Sequence, residues 1–294
     1  MNKIIRQIDN LGTLDLERLG SRRDALRGAG KWGAGVVAAS VPAFLAAAAK
    51  KARAQRILAN HNATPQDVLE FALTLEYLEA EFYVQGVDSG VIAGEDDAIF
   101  VTIRDHEVAH VRFLEEALGL SEDEAKPNFD FTGGDGSGAG PFDPFNDYED
   151  FLALAQAFED TGVRAYKGGA PVLIDDDATL AAALSIHSVE ARHASEVRRL
   201  RGYRFGAPEL APQKGWITGN DRGTNMPQET QPVYDAGTNP DVYPAEDNVI
   251  QGGVNVMTAA GVSSSAATES FDEPLDIDAV LAIVDPFIEG DQTA

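Results

Sequence analysis

The sequence predicts an all-α fold: a four-helix bundle followed by a mostly irregular C-terminal extension. Three observations carry this expectation. The first is an internal repeat. Glu76 and Tyr83 precede Glu107-x-x-His110, and Glu159 and Tyr166 precede Glu190-x-x-His193. Glu76 stands 31 positions before Glu107, Glu159 stands 31 before Glu190, and one offset of 83 maps the first set onto the second. The second is helical periodicity around each lone glutamate. Leu69, Ala72, Leu73, Ala80 and Tyr83 share a face with Glu76, and Leu152, Ala155, Val163 and Tyr166 share one with Glu159. The third is a change of composition after Tyr203, where Pro, Gly, Asn and Thr dominate and periodicity fails.

Each helix has its own start and stop signals. The first has Thr64 as N-cap, Pro65 at its first position and Asp67 completing a capping-box-like triplet. It is expected to run to about Gln85, with Gly86 ending it. The second starts near Asp96 or Asp97 and ends at Gly119, with an acidic first turn that suits the helix dipole. Residues 120–146 form a long Gly-rich connection, as a crossover between parallel second and third helices requires. The third helix spans about Asp147 to Lys167, and the fourth about Asp177 to Gly202. Arg198, Arg199 and Arg201 sit in the last turns of the fourth, at the negative end of its dipole.

The repeated residues carry a specific chemistry. Positions i and i+3 of a helix lie on one face, so Glu-x-x-His aims a carboxylate and an imidazole at one point. A carboxylate can bridge two cations and an imidazole can cap one of them. A lone Glu from another helix closes each half. A carboxylate inside an apolar stripe must be paired, protonated or metal-bound. The candidate metal ligands are therefore Glu76, Glu107, His110, Glu159, Glu190 and His193. Oxygen and nitrogen donors of this kind suit two Fe or Mn ions. The competing reading is a set of solvated helix charges, which the apolar neighbours of Glu76 and Glu159 oppose.

These motifs resemble the ferritin-like superfamily, which includes rubrerythrins, bacterioferritins and manganese catalases. Residues 65–204 carry the resemblance, and it looks closest to the secreted branch related to plant desiccation-associated proteins. The resemblance implies a di-iron or di-manganese oxidoreductase acting on Fe(II) with O₂, or on peroxide. It also leaves open a non-catalytic bundle that protects the envelope under stress or desiccation. In related di-iron proteins a tyrosine placed like Tyr83 and Tyr166 lies beside the metals, so both are candidates for a hydrogen bond to a ligating carboxylate. Each has an equal alternative as a core tyrosine with its hydroxyl satisfied.

Glu79 lies one turn from Glu76, but its counterpart under the offset is Gly162, so the repeat does not support it as a ligand. Rubrerythrins supply an extra glutamate at the Gly162 position, and the departure weakens an expectation of rubrerythrin-like peroxide chemistry. His187, one turn before Glu190, is placed near the site or at the surface. His106 is expected to point away from the 107/110 face, and His61 lies in a linker before the first helix.

Composition bounds the rest. The 294 residues include no cysteine, which excludes disulfides, thiolate metal sites, a cysteine-linked lipid anchor and a rubredoxin-like domain. Residues 1–54 hold 10 basic and 4 acidic residues, leaving 13 basic and 44 acidic in the remainder. An acidic body of this kind argues against nucleic acid as a partner and attracts cations. Ser21-Arg22-Arg23-Asp24-Ala25-Leu26 resembles a twin-arginine export signal, with an uncharged stretch over 32–49 and Ala52-Arg53-Ala54 as a cleavage site. The expected organisation is a signal peptide over 1–54, the bundle over 55–204 and a tail over 205–294. Export to the periplasm or beyond follows, with no stable membrane span after cleavage; a homo-oligomer stays open. The tail either wraps the bundle or is disordered. Trp216, Ile217, Val233, Tyr234 and Tyr243 favour wrapping, and Val280, Ile283, Val284 and Phe287 predict a short terminal helix.

Overall fold

The computed structural model describes residues 63–206 and 214–289. The export signal and His61 lie outside the described residues. The first helix, α1 (Pro65–Ser89), opens with a capping box: Asp67 donates its N–H to Thr64 Oγ1 (3.3 Å), and Thr64 donates its N–H to Asp67 Oδ2 (2.9 Å). It ends one turn later than expected, at Gly90, whose φ of 76° needs glycine. Gly86 does not end it. A Cβ there would stand 2.3 Å from the Phe151 ring, so this glycine lets α1 pack closely against the third helix. Helix α2 (Asp97–Leu118) stops at Gly119, whose N–H reaches the Glu115 and Glu116 carbonyls.

Helix α3 (Tyr148–Gly169) is capped by Asp147, which accepts from Glu149 N and Asp150 N. A 3₁₀ turn (Ala170–Leu173) leads to α4 (Asp177–Phe205), capped by Asp176. Helix α4 passes its expected end at Gly202. Arg204 forms a forked pair with Asp96 (2.7 and 2.8 Å), and Phe205 packs edge-on to Tyr148, so both residues gain from continuing the helix.

Side-chain contacts give the helix directions. Tyr148, at the start of α3, donates to Asp96 at the start of α2 (2.7 Å), so α2 and α3 run parallel and residues 120–146 cross the bundle between them. Asp96 also meets Arg204 at the end of α4, so α4 runs opposite to α2. Phe82 is the hub of an aromatic core, with Tyr83, Phe131, Phe145, Phe151 and Phe158 all within 6 Å. Burying each such ring contributes roughly 1.5–3 kcal/mol.

The C-terminal segment wraps the bundle. Ile217, Met226, Val233 and Tyr234 are buried against Ala153 and Ala157 of α3; Trp216 stays exposed. A two-strand hairpin, β1 (Ile250–Gln251) with β2 (Val254–Asn255), turns on Gly252 and Gly253, both at positive φ. Two short helices follow, α5 (Val256–Ala260) and α6 (Ser264–Thr268). The expected terminal helix is α7 (Ile277–Val284), which buries Val280 and Val284 and continues as a 3₁₀ turn (Asp285–Phe287). Backbone bonds from Asp130 and Asp135 to the Phe287 and Pro286 carbonyls tie the crossover to this end (2.9 Å each). As a result every residue of α3 from Phe151 to Tyr166 is buried.

Candidate metal centre

Four helices bring the repeated residues to the bundle interior. Glu76 comes from α1, Glu107 and His110 from α2, Glu159 from α3, and Glu190 and His193 from α4. All four glutamates have no solvent exposure. Their ligand atoms form two overlapping groups: Glu76, Glu107, His110 and Glu190; and Glu107, Glu159, Glu190 and His193. Within each group the atoms lie within 4.8 Å of one another. The shared members are the two Glu-x-x-His glutamates. Each group adds one lone glutamate and one histidine.

The imidazoles face the carboxylates through Nδ1. His110 Nδ1 lies 3.0 Å from Glu107, 3.1 Å from Glu76 and 3.4 Å from Glu190. His193 Nδ1 lies 2.8 Å from Glu107 and 3.3 Å from Glu159. Behind the carboxylates the tyrosines cross over. Tyr83 on α1 donates to Glu159 Oε1 on α3 (2.6 Å), and Tyr166 on α3 donates to Glu76 Oε1 on α1. Each tyrosine thus orients the lone glutamate of the opposite copy and leaves that glutamate's other oxygen facing inward.

Several inward atoms have no hydrogen-bond partner. Among the described residues these include both oxygens of Glu190, while Glu107 Oε1 and Glu159 Oε2 have the single nitrogen His193 Nδ1 between them. Orphaned acceptors buried this deeply are costly, and a cation would satisfy them together. The donor set is oxygen and nitrogen without thiolate, which fits Fe or Mn.

Protonation tells the same story electrostatically. Burial pushes Glu76 up to about 7, helped by the neighbouring Glu107 charge and opposed by His110. Glu190 is driven well above the usual carboxylate range by burial and by the carboxylates around it, and burial raises Glu159 as well. Glu107 goes the other way, to about 2, because hydrogen bonds and charge from His110 and His193 outweigh its burial. Both imidazoles rise to about 10, since the carboxylates outweigh desolvation. Without metal, protons supply the positive charge that the acid cluster needs.

Two further residues lie against the cluster. His106 points away from the 107/110 face, as expected, and reaches the site from another side. Its ring lies nearly coplanar with that of His193 and meets it edge to edge (5.2 Å between centroids, 12° between planes), with its Nδ1 2.9 Å from His193 Nε2. It leaves the 107/110 face but meets the back of the opposite helix, which spacing along α2 alone does not reveal. Glu79 is buried, with Oε2 unpartnered. It lies beside Gly162, where a Cβ would stand 3.0 Å from Glu190 Oε2 and 3.3 Å from Glu79 Oε1. The break in the repeat was the signal: glycine on α3 clears the space that Glu79 on α1 fills. His187 is half-buried and belongs to neither group.

Residues 64–203 match the family model for a ferritin-like domain. The helical bundle is ferritin-like. No curated protein and no solved structure gives a match to the chain. In this ferritin-like domain, the buried acidic and histidine groups can hold metal ions. An open pocket of about 340 Å³ between α2 and α4 leads to His193, lined by Ile99, Thr102, Ile103, His106, Arg192 and Glu196 among others. No described helix is long and apolar enough to cross a membrane.

Proposed function

We propose that the chain is an exported ferritin-like protein with a dinuclear Fe or Mn centre that oxidises Fe(II) or removes peroxide. One observation carries the reading: two four-residue groups of potential ligands share Glu107 and Glu190, so the same side chains could serve two cations. Glu76 with His110, and Glu159 with His193, would complete the two sets. A bound pair of these ions would supply the redox chemistry for Fe(II) or peroxide.

The chain's own groups do the rest. Tyr83 and Tyr166 hold the two end carboxylates in place. Phe82, Phe100, Phe151 and Phe158, all at most 2% exposed, keep water from one side of the cluster. Glu79, pushed well above the usual carboxylate range first by burial and then by Glu159 and Glu107, keeps a proton next to the centre. The pocket beside His193 is a route for a small substrate. The twin-arginine-like segment at Ser21–Leu26 supports export, and the resemblance to the secreted desiccation-related branch supports a role in the cell envelope.

The test is metal analysis of the protein from its native compartment, then assays with Fe(II)/O₂ and with H₂O₂. Two equivalents of Fe or Mn and turnover above free metal are expected. Metal without turnover would favour a protective bundle, and absence of metal would end the dinuclear reading. Replacing Arg22 and Arg23 by Lys should leave the precursor in the cytoplasm, seen by fractionation, because a receptor and not charge alone reads the pair.

A further inference from the structure

Besides Glu79 and Gly162, the repeat fails at a second position that touches the site. Under the offset of 83, His106 corresponds to Val189, so an imidazole is present there in one copy only. His106 precedes Glu107 on α2 and lies near the surface, yet its ring meets the outer edge of His193 on α4. The two nitrogens of His193 have different surroundings. Nδ1 faces Glu107 and Glu159 in the acid cluster, and Nε2 faces His106 Nδ1 at 2.9 Å.

A neutral imidazole carries one proton, on one nitrogen. If Nδ1 is to offer its lone pair to a cation, that proton must sit on Nε2. A proton on Nε2 needs an acceptor, and His106 Nδ1 is placed as that acceptor. The two rings are nearly coplanar, so the contact runs along the Nε2–H direction and fixes the ring plane as well. The first copy differs: His110 faces Glu76, Glu107 and Glu190 through its own Nδ1, and the repeat puts an aliphatic residue where His106 would have its counterpart.

We propose that His106 is a positioning residue for one half of the centre, holding His193 as the Nε2–H tautomer so that the Glu159–His193 end binds its cation more tightly than the Glu76–His110 end. This rests on the dinuclear reading above. It makes the two cation positions unequal in a chain whose ligands are otherwise repeated. It also leaves a stepwise order of loading, with the His193 end filled first.

The experiment is titration of Mn(II) into metal-free full-length protein, followed by calorimetry, with Co(II) absorption as a second readout. His106→Phe keeps an aromatic ring of similar size and removes the acceptor. His106→Asn returns an acceptor near the Nδ1 position. Wild type is expected to take two equivalents in two resolved steps. His106→Phe should weaken one step by roughly 10–100-fold, the range seen when a ligand's hydrogen-bond partner is lost, and leave the other unchanged. His106→Asn should recover most of the loss, and only one of two Co(II) band sets should change in the Phe variant. Circular dichroism of the metal-free variants checks folding, and His106→Leu serves if the Phe variant is perturbed. Equal steps in wild type, or steps unaffected in both acceptor-free variants, would overturn the proposal with the dinuclear reading intact. No binding in wild type would overturn both.

Discussion

Helix α3 has two buried faces, and they are buried in different ways. Its inward face sets Glu159 and Tyr166 against the acid cluster. Its outward face carries Gln156, Asp160 and Arg164, which an isolated four-helix bundle would leave in water. The outward charges have been met by the chain. Arg164 is fully buried; it pairs with Glu246 at 2.8 Å and donates to the backbone carbonyls of Glu273, Val233, Asp235 and Pro244. Asp160 accepts from Arg198 and from the Tyr234 hydroxyl. Outward, Glu246 Oε2 and Arg201 Nε lack a hydrogen bond, but each belongs to a side chain that the chain pairs through another atom; inward, neither oxygen of Glu190 has one. Equal burial with unequal satisfaction separates a largely self-satisfied structural network from a candidate ligand site.

Substitutions on the two faces should therefore fail differently. The largest effect is expected from Glu107→Ala. Glu107 belongs to both ligand groups and has both imidazoles against it. Ala is the best helix former, so α2 should persist. Metal retention and any Fe(II) or peroxide turnover should fall by orders of magnitude, measured on protein whose helical circular dichroism is unchanged. Retained turnover would remove the inward face from the chemistry.

Arg164→Met should do the reverse. It strands Glu246, which burial already pushes up to about 8 against the pull of Arg164, and it leaves carbonyls of the C-terminal segment without a donor. Breaking a buried pair from one side costs about 3–5 kcal/mol. Urea unfolding should show that loss while the metal stoichiometry stays at the wild-type value. A change in stoichiometry would mean that the two faces are not independent.

This comparison also explains what the sequence could and could not disclose. The convergence of the six candidate ligands was legible because helical spacing places Glu-x-x-His on one face, and because the spacing of 31 recurs. Helix starts were legible from Thr64, Asp147 and Asp176, whose side chains cap locally. Of the C-terminal segment only the apolar residues and the terminal helix were legible: nothing local to Gln156, Asp160 and Arg164 shows that groups 66 to 109 residues away cover them. Gly86 misled for a similar reason: its role is to admit the Phe151 ring, a contact between helices. His106 needed the position of α4, which no periodicity along α2 contains.

The pH dependence of the metal-free protein should carry the sign of the inward face. Glu76 is raised from 4.5 to about 7, so its burial weakens the fold increasingly as pH climbs through that window. His110 and His193, raised from 6.5 to about 10, stabilise fully below 6.5, and that contribution is lost as pH rises toward 10. Glu107, lowered from 4.5 to about 2, stabilises above 4.5 and ceases to as pH falls toward 2. The melting temperature of chelated protein should thus peak on the acid side of neutrality and decline at higher pH. Metal replaces the protons, binds the native state preferentially and should flatten the decline. A chelated protein most stable at pH 8 or above would contradict this arrangement.

The smallest effect is expected at Gly162, where the two copies of the repeat differ inside the site. Replacing glycine by alanine in a helix interior ordinarily stabilises by about 1 kcal/mol. Here the new methyl would stand 3.0 Å from Glu190 Oε2 and 3.3 Å from Glu79 Oε1, so both carboxylates must shift by a few tenths of an ångström. Glu79 is the freer of the two, because it belongs to neither ligand group. Gly162→Ala should therefore leave thermal stability within about 1 kcal/mol of wild type, as helix propensity and crowding offset each other. Glu190 is shared by both groups, and its displacement should weaken both metal-binding steps by a similar, few-fold factor. That pattern differs from the single-step loss expected at His106, and one Mn(II) titration series on the two variants distinguishes them. If Gly162→Ala binds metal as wild type does, the space beside Glu79 is packing slack, and the break in the repeat has no bearing on the site.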